Sequence, residues 1–374
     1  MPASTERPPS ALVVHEWFFV GGRYIDREDG TFMVGQMYVE HYVPAIRTHD
    51  TPLVMIHGGA QTGTNFLATP DGRPGWLHDF LHAGYEVYVT DQPERGRSGH
   101  AVTAKATAKL SRYSSARTEQ RFTAIANSAL WPQACYHSQW PGAGVQGDPV
   151  FDRFYASQVP QLDDRTAIEV VNRDAGVALL DHIGAAILLT HSQSGPFGWL
   201  IADARPGLVK AVLAIEPNGP PFRDVEHLGE PHWFGYGENQ DDDCDPKAFE
   251  RPWGITRIPL QFDPPMQDAN ELKPALMQLS DDASLVAGYL PTCEPRTLPN
   301  LAGIPIAIVT AQASYHACYD HCTSAFLSWA GVGHDFIHLH ERGLMGNGHM
   351  VMLEDNSSDI AALLVDWLEA SGPN

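Results

Sequence analysis

The sequence predicts an α/β fold built on a mostly parallel central sheet flanked by helices, and three observations carry that expectation. Short, uninterrupted apolar runs rich in β-branched residues recur along the chain, with turn residues at their C-terminal ends. Helix-like segments lie between several of them. The N-terminal part instead carries two longer runs on either side of a turn. Continuous apolar runs suit strands buried on both faces of a parallel sheet, and their alternation with helices suits a doubly wound arrangement.

Taken in order, residues 1–10 are rich in Pro and Ser and read as a loose arm. The runs 17–25 and 31–42 flank Arg27-Glu28-Asp29-Gly30, which points to an antiparallel start to the sheet. Parallel strands are expected at 52–56, 86–90, 186–190, 209–215, 304–310 and 335–340, and helices at 75–83, 166–183, 194–204 and 357–369. Two connections are too long for simple crossovers. Residues 101–163 hold Trp131-Pro132 and Trp140-Pro141, and residues 218–300 are rich in Pro and acidic groups. Both are read as cap insertions in a single domain spanning 1–374, because connections of this length usually carry function or added structure.

With 374 residues, 43% hydrophobic and 18% charged, the composition is globular and allows a large core. The formal charge of −21, from 24 basic and 45 acidic residues, argues against nucleic acid and anionic membrane surfaces as partners. A neutral small-molecule ester fits better than a polyanion, although a local basic pocket can override net charge. Five cysteines, an odd number at irregular spacing, spell no disulfide framework. The N-terminus lacks a basic region followed by an apolar stretch, and no run approaches the ~20 apolar residues of a membrane span. A cytoplasmic location is expected on that basis, with export left open, and a homodimer is compatible with the sequence.

The segment Thr190-His191-Ser192-Gln193-Ser194-Gly195 runs from an expected strand straight into an expected helix. Ser192 sits at the turn, with the small residues Thr190 and Ser194 two positions to either side. This resembles the nucleophile elbow of the α/β-hydrolases, where strand and helix backbones crowd. Neither flanking residue is Gly, so the match to G-x-S-x-G is imperfect. Ser194 is the rival nucleophile, but it would place Pro196 at the crowded position, and Pro suits a first helical turn better.

In that fold the loop after the first parallel strand supplies one amide to the developing oxyanion, and the residue after the nucleophile supplies the other. Here those are Gly59, or alternatively Ala60, in His57-Gly58-Gly59-Ala60, and Gln193. Asp91-Gln92-Pro93-Glu94-Arg95-Gly96-Arg97-Ser98-Gly99 reads as a brace for the active-site floor. The base is expected after the last strand. His349 in Gly346-Asn347-Gly348-His349 precedes a terminal helix, whereas His338 and His340 read as strand residues. The usual position of the acid, after the strand at 304–310, reads Ala311-Gln312-Ala313-Ser314-Tyr315 with no carboxylate, and Asp320 comes late. Glu216, just past the strand at 209–215, is therefore assigned as the acid that orients the His349 imidazole.

The His-Ser-Gln-Ser-Gly elbow, the Glu after the sixth strand and the Gly-Asn-Gly-His loop together resemble the esterase 713-like bacterial esterases. That group is associated with cleaving esters on halogenated cyclic compounds. The resemblance implies a carboxylester hydrolase with a Ser-His-Glu triad, no metal and no cofactor, acting on a small to medium, cyclic or aromatic ester. Rival chemistries on the same triad are lactone, thioester or carbon–carbon bond hydrolysis and acyl transfer. A rival of another class is a non-catalytic binding protein that keeps the fold.

Other constellations have plainer readings. His316, Cys318, His321 and Cys322 fit no standard zinc spacing. The acidic run 241–245 lacks the spaced ligands and Gly of a calcium loop. Trp131, Trp140, Trp233 and Trp253 lie in the expected caps, where they either line an apolar pocket or hold the insertions together.

Overall fold

The computed structural model describes residues 12–99, 109–236 and 249–371. Eight strands form the central sheet: β1 (Leu12–Arg27), β2 (Gly30–Pro44), β3 (Leu53–Ile56), β4 (Val87–Asp91), β5 (Ala186–His191), β6 (Val209–Ile215), β7 (Ile306–Thr310) and β8 (Asp335–His338). Their order is β1-β2-β4-β3-β5-β6-β7-β8. The β1–β2 hairpin is antiparallel and joins β4 antiparallel, while the strands from β4 to β8 run parallel. Strands β3, β4, β5 and β7 are buried at every residue, as their uninterrupted apolar runs require.

Five helices cover the faces: α1 (Trp76–His82), α2 (Arg165–Ile183), α3 (Gly195–Ala204), α4 (Asp320–Trp329) and α5 (Ser357–Ser371). Asp164 caps α2 by accepting from the Ala167 amide, and Gly184 ends it at φ +89°. Helices α2 and α3 approach so closely that a Cβ on Gly176 would lie 2.2 Å from Ile201 Cδ1. The core divides across the sheet. Val54, Leu188 and Val212 pack with Phe197 and Trp199 on one face, and Met55, Leu189 and Leu213 pack with Trp76, Phe80 and Leu364 on the other. Each such side chain contributes roughly 1.5–3 kcal/mol on burial.

The expected strands differ from these at their ends for local reasons. The run at 304–310 begins two residues late because Pro305 has no N–H to give, although its carbonyl accepts from Val212. The run at 335–340 stops at His338, where pairing with β7 ends at Thr310, and His340 falls in a 3-10 turn.

Two long connections follow β4 and β6. The first contains a short ribbon pairing Leu110–Ser111 with Gln161–Leu162, and the helix Pro149–Ala156 capped by Asp148. The second contains the ribbons Glu226–His227 with Phe234–Gly235, and Pro274–Met277 with Gly288–Pro291. The acidic run 241–245, with Cys244, lies outside the described residues; Cys135, Cys293, Cys318 and Cys322 form no disulfide among the described residues. No helix among the described residues is long and apolar enough to cross a membrane.

Candidate active site

Strand β5 delivers Ser192 into a single 3-10 turn that leads directly into α3. Ser192 has φ +55°, a left-handed conformation that costs a residue with a Cβ on the order of 1 kcal/mol. The turn is held from several sides. The Ser192 carbonyl accepts from the Asn218 amide at 2.9 Å, and a Cβ on Gly195 would lie 2.5 Å from Pro217 Cβ, so only Gly lets the two backbones approach. Ser194 is fully buried; its hydroxyl accepts from the His191 amide at 2.8 Å and donates to the Ile56 carbonyl at 2.7 Å. Ser192, by contrast, faces a cavity that His349 also lines.

Glu216 stands just past the end of β6 at φ +46° and is fully buried. Its Oε2 lies 2.5 Å from His349 Nδ1. The same carboxylate accepts from the Ala311 amide at 2.8 Å and from the Ser314 hydroxyl at 2.7 Å. The loop after β7, which lacks an acid, thus supplies donors to one. Asp320 instead opens α4, accepting from Thr310 at 2.6 Å and pairing with His316 at 2.9 Å. Burial and the neighbouring Asp320 push the Glu216 carboxyl up, opposed by its donors from Ser314 and Ala311.

The His349 ring stacks on His316 at 4.7 Å and on Phe122 at 5.4 Å. Burial, with His191, His316 and Arg121 nearby, holds its pKa well below the ordinary histidine value. Its Nε2 lies 3.3 Å from the Tyr315 hydroxyl. Glu354 fixes the backbone beneath, accepting from the Gly348 amide at 2.9 Å and from Asn347 Nδ2 at 2.8 Å. His338 and His340 are not among the residues that line the cavity.

Beside Ser192, a Cβ on Gly58 would lie 3.1 Å from Ser192 Cβ, so the loop after β3 presses directly on the elbow. Ala60, at φ +58°, commits its amide to Gln161 Oε1 at 3.0 Å, whereas Gly59 lines the cavity. Arg95, buried in the loop after β4, joins the two sides. It donates at 2.9 Å both to the Gly58 carbonyl and to Gln193 Oε1. Arg95→Met removes both ties, and kcat for ester hydrolysis is expected to fall about ten- to a hundredfold with little change in KM, as measured by steady-state kinetics. Unchanged kcat would show that these ties do not set the position of the amides.

Glu216, His316 and His349 carry donor atoms within 4.8 Å of one another, a spacing that could hold a metal. Each is already engaged: Glu216 with His349, and His316 with Asp320 and with the Tyr319 hydroxyl at 3.0 Å. The four residues considered for zinc do not converge. Cys318 faces Gln133 at 3.1 Å and Cys322 faces His321 at 3.4 Å. Of the tryptophans, none lines the cavity. Trp131 donates to the Ala313 carbonyl at 2.9 Å and so ties its insertion to the loop after β7, while Trp140 packs on Phe154 within the same insertion.

Residues that sequence reasoning missed are Tyr315, Ser314, Glu354 and the individual role of Arg95. Only Arg95 had a signal, since its loop reads as a floor brace.

No family model matches the chain. It is 42% identical, over 95% of its length and 90% of the other protein's, to the probable secreted lipase phiG of Fungal sp. (strain ATCC 74256). Its fold matches that of a bacterial esterase known at atomic resolution, at 22% identity, with 99% of each chain covered and a TM-score of 0.61. The word secreted in the relative's name overturns the expected cytoplasmic location: a start without a leader-like stretch does not specify a compartment. The chain belongs to the α/β-hydrolase superfamily and is a serine hydrolase of the esterase and lipase type.

Proposed function

We propose that the protein is a secreted carboxylester hydrolase in which Ser192, His349 and Glu216 act as a triad. The observation that carries this reading is the His349 Nδ1–Glu216 Oε2 contact of 2.5 Å behind a histidine that shares a cavity with the strained Ser192. His349 Nε2 takes the Ser192 proton and the alkoxide attacks the ester carbonyl. The Gly59 and Gln193 amides receive the oxyanion. Imidazolium then protonates the leaving alcohol, and water attacks the acyl-serine with His349 again as base. Residues 101–163 and 218–300 act as caps, since both contribute walls to the cavity, among them Tyr113 and Gln161 from the first and Asp224 and His227 from the second. The relative's name supports secretion and an ester-type substrate.

Partitioning tests the acyl-enzyme. With p-nitrophenyl and phenyl butyrate in aqueous methanol, one shared intermediate gives the same ratio of methyl butyrate to butyrate from both. Ratios that follow the leaving group contradict it.

A further inference from the structure

The protein as a whole is strongly acidic, yet the walls of this cavity are not. Arg117, Arg121, Arg165 and Arg257 line it against the two carboxylates of Glu169 and Asp224. Those two acids are already engaged. Asp224 pairs with Arg251 at 2.7 Å and with Arg165 at 3.7 Å, and Glu169 accepts from the Arg257 and Ile258 amides at 2.7 and 3.2 Å. Arg117 and Arg121 form no ion pair among the described residues, and each lies over a tyrosine: Arg117 over Tyr113, 4.6 Å from the centroid, and Arg121 over Tyr315, 4.9 Å from the centroid. On Tyr315, 5.8 Å from ring to ring, also packs His227. Both ring nitrogens of His227 are shut from solvent; the Tyr315 backbone faces the ring without full hydrogen-bond geometry, which leaves at least one nitrogen unpartnered among the described residues. Such a buried polar group is costly unless something supplies its partner.

We propose that Arg121 and His227 form a subsite for a carboxylate on the substrate, so that the preferred ester also bears a free acid group. The inference rests on Ser192 being the nucleophile of this cavity. Tyr315 links the two places: its ring supports Arg121 and His227, and its hydroxyl lies 3.3 Å from His349 Nε2. A carboxylate held by the guanidinium and an imidazole N–H is therefore one tyrosine ring away from His349, in the cavity that Ser192 lines. Arg121 comes from one long insertion and His227 from the other, so the subsite exists only where the two meet. Planar, bidentate recognition of a carboxylate is what a guanidinium does best, and cation–π support from Tyr315 leaves its N–H groups free.

The test compares two esters that differ in one charge: the mono-4-nitrophenyl ester of adipic acid, with a free carboxylate, and the corresponding 4-nitrophenyl methyl diester. The half-ester is expected to have the higher kcat/KM, by about ten- to a hundredfold. That preference shrinks as salt rises from about 10 mM to about 1 M and the screening length falls from about 30 Å to about 3 Å. Arg121→Gln brings the ratio of the two rates close to one, whatever happens to either alone, and Arg121→Lys keeps part of it. Should Arg121→Gln not fold, the wild-type preference, its salt dependence and competitive inhibition by adipate still decide the matter. Equal rates on both esters overturn the carboxylate subsite and leave the hydrolase reading intact. A preference that survives in Arg121→Gln overturns the role of Arg121. Cleavage of neither ester, with no fluorophosphonate labelling of Ser192, removes the underlying reading and this inference with it.

Discussion

Replacing Ser192 with Ala is expected to lower kcat for ester hydrolysis by about ten-thousandfold or more, leaving only what substrate binding and the oxyanion amides supply. The fold should survive, because the Ser192 side chain faces the cavity and the turn is held by backbone and by neighbours. Ser194→Ala is the matched control with the opposite signature. The Ser194 hydroxyl ties the His191 amide and the Ile56 carbonyl in the buried floor, so its loss costs about 1–3 kcal/mol of stability. Folded Ser194→Ala protein should still turn over. Kinetics with thermal melts separate the two, and an inactive Ser194→Ala beside an active Ser192→Ala would reverse the assignment.

Glu216→Gln is expected to lower kcat by about a thousand- to ten-thousandfold with modest change in KM. The carboxylate now accepts from His349 Nδ1, the Ala311 amide and the Ser314 hydroxyl. A carboxamide of the same shape has one accepting oxygen, so its NH2 must face groups that were donating. The histidine then loses the partner that fixes its tautomer and stabilises the imidazolium. The sign of the pH dependence follows from the wild-type site. As the proposed base, His349 can act only when neutral, and its pKa is held below the ordinary 6.5. Wild-type kcat/KM should therefore stay level on acidification through pH 6.5 and fall only below it. In Glu216→Gln the imidazolium loses its counter-charge, so the residual activity should show an acid limb shifted lower still. A wild-type limb at or above 6.5 would contradict the buried, neutral His349.

The parts of this protein that could be read in its sequence are those where a local pattern carries a physical constraint. Buried parallel strands must be apolar throughout, which marked 186–190 and 209–215 to within one residue of β5 and β6. A Ser between a buried strand and a helix, and a Glu at the tip of another buried strand, stand out for the same reason. The structure brings Glu216 and His349 into contact across 133 residues of chain. What the sequence did not disclose comes from irregular segments with no period to follow. Arg121, His227 and Tyr315 meet only because two insertions and the loop after β7 fold over one another. Glu354 was hidden differently: nothing in its neighbourhood signals that it would turn back to hold Gly348. The tryptophans show the limit of composition: their sequence left open whether they line a pocket or hold the insertions, and none of them lines the cavity.

The most direct test of the central claim is to label the wild-type protein with a fluorophosphonate and locate the adduct by peptide mass. The account predicts one adduct per chain, on Ser192, abolished in Ser192→Ala and retained in Ser194→Ala. An adduct on another residue, or an active esterase that takes no label at all, would contradict it.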